Sequence, residues 1–250
     1  LIGTSFVARA PADGYTLLIG SNALSIMPHL HKTDFDSMKD FAPVAPLYNT
    51  AIVLLARPNY PANNLAEFVA LAKANPNKIT TATWGVGGSA HLVMELLKEK
   101  AGIELIHVPY KGGGVESGQA VISGETDVGF DVSFTALPRV RSGQVKALGV
   151  FYPERVEGLP NVQTVGEAGY PDASLFGWIG VFAPAKVPKP ILQKITAASQ
   201  EILRDASFVR RLRDLGSKPF IGSPELLMET MRSESRGVER LVQNKKIKLD

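Results

Sequence analysis

The chain has 250 residues, 45% of them hydrophobic and 20% charged, and a net charge of +3 from 27 basic and 24 acidic side chains. A charge so small and so dispersed excludes a nucleic-acid footprint, which gathers Lys and Arg on one stripe, and leaves only a weak bias toward an anionic ligand. The absence of cysteine excludes disulfide and thiolate-metal designs and fits an oxidising compartment without requiring one.

Mean hydropathy is +0.05, as in an ordinary globular protein. No apolar run approaches the length of a membrane span. The chain opens Leu1-Ile2-Gly3, with neither a methionine nor a basic start before an apolar stretch. It is therefore expected to be a processed or truncated product.

Short apolar runs predict strands at Tyr15-Thr-Leu-Leu-Ile19, Lys78-Ile-Thr-Thr-Ala-Thr83, Glu104-Leu-Ile-His-Val108, Thr126-Asp-Val-Gly-Phe130 and Val145-Lys-Ala-Leu-Gly-Val150. Helical spacing lies between them. One helix runs over 65–73, after Asn63 and Asn64 and before Pro76. Another spans 91–97 and continues to Gly102, a C-cap glycine. The alternation predicts α/β architecture with largely parallel sheets. The last third is helical over 191–205, 208–215 and 225–244, behind the start signals Pro190, Ser207 and Ser223-Pro224.

Three loops after strands carry small residues that let a ligand approach backbone: Gly20-Ser-Asn-Ala-Leu-Ser25, 84–91 (Trp84-Gly-Val-Gly-Gly-Ser-Ala-His91) and Pro109-Tyr-Lys-Gly-Gly-Gly114. In parallel α/β sheets such loops lie at the carboxyl ends of strands, and the following helix N-terminus favours an anion. Each could equally be a tight turn; three together favour a shared anion site. The Ser89 hydroxyl caps its helix or donates to the ligand. His91 reads as a ligand contact or as a packed or capping side chain, and Asp131 as a cleft carboxylate or the cap of a helix near Ser133. His29 and His31 lack acidic or histidine partners, so no metal is expected. Neither a phosphate loop nor a nucleophile elbow is present, so no catalytic residue is assigned. Gly85-x-Gly87-x-x-Ala90 approaches a dinucleotide fingerprint, but the next strand ends His107-Val-Pro-Tyr-Lys111 without a carboxylate for the ribose.

The order and spacing of several stretches carry a resemblance. They include Pro11-Ala-Asp-Gly-Tyr-Thr-Leu-Leu18, Gly87-Gly-Ser-Ala-His-Leu92, Val108-Pro-Tyr-Lys-Gly112, Arg141-Ser-Gly-Gln-Val-Lys-Ala-Leu148, Leu159-Pro-Asn-Val-Gln-Thr-Val-Gly-Glu-Ala-Gly169 and Gly177-Trp-Ile-Gly-Val-Phe-Ala-Pro184. The chain resembles the tripartite tricarboxylate transporter receptors, the Bug family of periplasmic solute-binding proteins. The resemblance implies a type II periplasmic-binding fold of two α/β lobes joined by two crossing strands near 49–56 and 176–182. Residues 1–55 with 176–250 would form one lobe and 56–175 the other. It implies a periplasmic, monomeric receptor, with a signal peptide in its precursor, that captures a small carboxylate in an interlobe cleft for membrane permease subunits. That carboxylate would be a dicarboxylate, an acidic amino acid or an aromatic acid. No cofactor and no nucleic acid are implied.

The family's ligand positions map to Ser21, Asn22, Asn49, Thr50, Gly87, Gly88, Ser89, Lys111, Gly112 and Asp131; His91 joins them from the residue reading. The family also has a strand and a Gly-Gly-x-x-Asp-type loop ahead of the first helix, so the natural protein is expected to be longer. A NADP-dependent enzyme and the effector domain of a LysR-type regulator remain as alternatives.

Overall fold

The computed structural model describes residues 2–245. The chain divides into two compact units. Among the described residues the first is 2–49, 178–212 and 218–245; the second is 50–177 with 213–217.

The second unit is built on five strands in the order β5-β4-β6-β3-β7: β3 Ile52–Ala56, β4 Thr80–Thr83, β5 Ile106–Pro109, β6 Val128–Val132 and β7 Lys146–Phe151. β4 is parallel to β5 and β6, whereas β3 is antiparallel to β6 and β7, so the sheet is mixed rather than largely parallel. Crossover helices dictate the parallel half: α4 Ser89–Ala101 joins β4 to β5, and α5 Gly113–Ser123 joins β5 to β6. α3 Leu65–Ala74 and α6 Ser133–Arg141 complete the layers. β3 is the central element. Ile52, Leu54 and Ala56 enter one apolar cluster and Val53 and Leu55 the other, so its two-residue period fills both faces.

The helices begin and end where local chemistry requires. The Asn64 side chain accepts from the Glu67 amide at 2.9 Å, and the Glu67 carboxylate accepts from the Asn63 amide at 2.7 Å. This reciprocal cap opens α3. Gly102, at φ 63°, closes α4 in the left-handed conformation that glycine adopts without penalty.

The first unit carries the order β1-β8-β2-β9: β1 Leu18–Ser21, β2 Phe41–Thr50, β8 Gly177–Pro184 and β9 Ser217–Pro219. β1 runs antiparallel to β8, with Leu18 opposite Phe182. Trp178 and Phe182 face Val7, Leu24, Leu227 and Met231, while Val181 and Ala183 face Val187. The helices are α1 Ile2–Ala8, α2 Ala23–Ile26, α7 Lys189–Arg204, α8 Ala206–Asp214 and α9 Pro224–Lys245. The predicted strands start one to three residues later than their apolar runs, because the ladder begins only after the preceding turn is complete. Tyr15, for example, is 93% exposed, and its amide is held by the Asp13 carboxylate in that turn.

Candidate functional site

β4, β5 and β6 point the same way, so α4, α5 and α6 all start at one edge of the second unit's sheet. These three starts differ in what already occupies them.

At α4 the cap is Gly88, extended at φ −69° and ψ 162°, with no side chain to offer. The Gly88 amide is spent on the Gly85 carbonyl at 3.3 Å and the Gly87 amide on His91 Nδ1 at 3.0 Å. The next amides, of Ser89, Ala90 and His91, have no intrahelical acceptor, and no hydrogen bond among the described residues uses them. Ser89 is 8% exposed. A 13-residue helix adds the positive end of its dipole. Gly85 and Gly87, at φ 104° and 75°, adopt backbone that a side chain would strain. Three adjacent free amides, an available hydroxyl and a helix terminus can hold one carboxylate or similar anion.

At α5 the corresponding seat is taken. The Gly112 amide donates to the Glu116 carboxylate at 2.5 Å, a negative charge one turn into the same helix. Lys111 is exposed at this corner. Gly114 and Gly118 have a packing reason to lack side chains. A Cβ at Gly114 would lie 2.3 Å from Asp131 Oδ1, and one at Gly118 would lie 1.8 Å from Arg139 Nη1.

At α6, Asp131 is fully buried. Its carboxylate accepts from Arg139 Nη1 at 2.8 Å, Thr135 Oγ1 at 2.5 Å and the Val132 amide at 2.8 Å. Burial pushes the carboxyl up to about 6, against the lowering by Thr135 and Arg139. Arg139 also donates to the Val115 carbonyl at 2.9 Å, so the buried ion pair ties α5 to α6. Thr50 Oγ1 lies 2.9 Å from the buried Ser133 hydroxyl.

In the first unit, Ser21 Oγ accepts from the Ala23 amide at 3.3 Å, at the end of β1. Asn22 is buried at the start of α2. The Asn49 Oδ1 is buried and without a hydrogen-bond partner among the described residues. Gly87, Gly88, Ser89 and His91 thus form one local group, Lys111 and Gly112 a second and Asp131 a third. Ser21, Asn22 and Asn49 belong to the other unit.

Three polar residues escaped the sequence reading. His107 stacks on His91, with centroids 4.1 Å apart and planes 6° from parallel. Arg139 completes the Asp131 pair. Glu234 on α9 accepts from the Trp178 indole at 2.9 Å, and burial pushes its carboxyl up to about 7. Glu234 lies 56 residues from Trp178 and His107 sits on the strand after the His91 helix, while Arg139 meets Asp131 from eight residues on along α6, so spacing alone gave no signal.

The sequence profile of the tripartite tricarboxylate transporter family receptor matches residues 1–247. A UPF0065 protein of Bordetella pertussis is 35% identical over 235 residues, covering 94% of this chain and 72% of that protein. Protein BugT of the same organism is 30% identical over 234 residues, covering 90% and 70%. Among solved structures, the periplasmic binding protein BugD superposes with a TM-score of 0.89 at 30% identity, covering 99% of this chain and 83% of that one. MatC from Rhodopseudomonas palustris, with bound malate, gives 0.84 at 30%, covering 96% and 83%. An R. palustris protein with adipate gives 0.92 at 27%, covering 99% and 83%. Among the described residues no helix is long and apolar enough to cross a membrane. The chain belongs to the tripartite tricarboxylate transporter receptor family, and the solved structures it matches include the periplasmic binding protein BugD.

Proposed function

We propose that this protein is an extracytoplasmic receptor that captures a small carboxylate and presents it to the permease subunits of a tripartite tricarboxylate-type transporter, without chemical turnover. The observation that carries the reading is the uncapped N-terminus of α4, where the amides of Ser89, Ala90 and His91 remain free. Relatives with bound malate and bound adipate support an organic acid as the occupant. Lys111 supplies a positive charge from the next loop of the same unit. A periplasmic location follows from the same reading.

Calorimetry with malate, adipate and the uncharged diamide of adipic acid tests it. At least one acid should bind with one-to-one stoichiometry, and the diamide should not. Ser89→Ala removes one hydrogen bond to a charged group and should weaken binding about tenfold. Binding of the diamide as tightly as the acids, binding of neither acid, or an acid affinity that Ser89→Ala leaves unchanged contradicts the proposal.

A further inference from the structure

The α4 loop is held from behind by two imidazoles. His91 Nδ1 accepts the Gly87 N–H at 3.0 Å, which puts the neutral ring's proton on Nε2. His107 lies flat against that ring and is tied at Nε2 to the Thr83 hydroxyl at 2.6 Å. Thr83 also reaches the Gly85 carbonyl at 3.4 Å, inside the same loop. The chain of contacts runs Thr83, His107, His91, Gly87 and ends one residue before the Gly88 cap. We infer that His107 is a positioning residue acting through His91, and that protonation of the stacked pair releases the Gly87 amide and loosens the anion seat.

The chemistry is one of acceptor loss. A proton on His91 Nδ1 faces the Gly87 N–H, donor against donor, and their hydrogen bond breaks. A second positive charge in a stack at 4.1 Å is opposed by the first. Both rings are held below the ordinary histidine value: His91 by burial, His107 by burial and then by His91, down to about 4. The charged groups near the pair are Glu95 and Lys98 of α4 itself. Lys98 is bound to Glu95 at 2.9 Å and lies 3.8 Å from Glu104, ahead of β5. β4 brings only the Thr81 and Thr83 hydroxyls, and Asp172, on the turn packed against α4, pairs with Lys100. Because both pKa values are depressed, the latched state holds at neutral pH and is lost as pH falls below the ordinary histidine value of 6.5.

The effect on ligand rests on the reading of α4 as the anion seat, but the latch can be tested without ligand. The experiment follows the Gly87 amide of the 15N-labelled chain by NMR, together with the imidazole signals of His91 and His107, through a pH titration. The Gly87 amide should titrate together with His91, at a midpoint below the ordinary histidine value. His91→Gln offers a carbonyl acceptor that cannot be protonated, so the Gly87 amide should become insensitive to pH. His107→Leu removes the stack and the Thr83 bond, and Gly87 hydrogen exchange should quicken roughly fivefold at neutral pH. A Gly87 amide that stays unmoved while His91 titrates overturns the latch. So does a Gly87 pH dependence that persists in His91→Gln. Failure of malate or adipate to bind while the Gly87 titration behaves as expected rejects the carboxylate reading and leaves the latch standing.

Discussion

Glu234 and Asp131 are buried acids whose carboxyls burial pushes up, and only Asp131 has an arginine partner. Asp131 is fully enclosed but has an arginine, a hydroxyl and an amide as donors, so its charge is compensated in place. For Glu234, burial pushes the carboxyl up to about 7 from 4.5, against the lowering by the hydrogen bond from the Trp178 indole. A raised folded-state value means that the stabilising contribution is complete below pH 4.5 and is lost as pH rises through about 7. Glu234→Gln keeps an acceptor for the indole and removes the charge. Its melting temperature should therefore gain on the parent between pH 5 and pH 8, and two parallel pH profiles from thermal unfolding would refute the assignment. At this scale the sequence showed residue types but not partners. Ser89 and His91 were singled out because their loop follows a strand and opens a helix. His107 was passed over because its proximity to His91 depends on the parallel register that sets Thr81 opposite His107. The glycines of 112–114 were read as ligand-approach positions, and Gly114 in fact clears space for the Asp131 carboxylate.

Among the elements, β3 and β1 mark the extremes of burial. Every residue of β3 is buried, and its alternate side chains belong to two separate apolar clusters. β1 is an edge strand whose Ile19 is 64% exposed. Leu54→Ala opens a cavity in a close-packed interior and should cost about 2–5 kcal/mol. Ile19→Ala removes a side chain that mostly meets water and should stay within about 0.5 kcal/mol. Urea unfolding of the two variants checks both, and equal losses would contradict the burial argument. Helix positions were the most legible feature, because capping side chains and C-terminal glycines act within a few residues of each other. Strand direction was less so. A buried apolar run reads the same in either direction, and the antiparallel placement of β3 is set by its pairing with β6 and β7.

For the whole molecule, discontinuity limits what can be read along the chain. The first unit joins segments on both sides of the second, and β1 pairs with β8 about 160 residues away. No local period encodes that pairing, nor the short return of Arg213–Ser217 to the second unit. The family did emerge from the sequence, through the order of stretches that are individually weak. The functional claim then comes down to one place: a carboxylate seated on the free amides that open α4. Amide NMR during titration with malate or adipate addresses it directly. The account predicts that the Ser89, Ala90 and His91 amide protons move downfield together and saturate with the calorimetric isotherm, since each donates to a charged oxygen. Saturable carboxylate binding that leaves these three amides unmoved would contradict it.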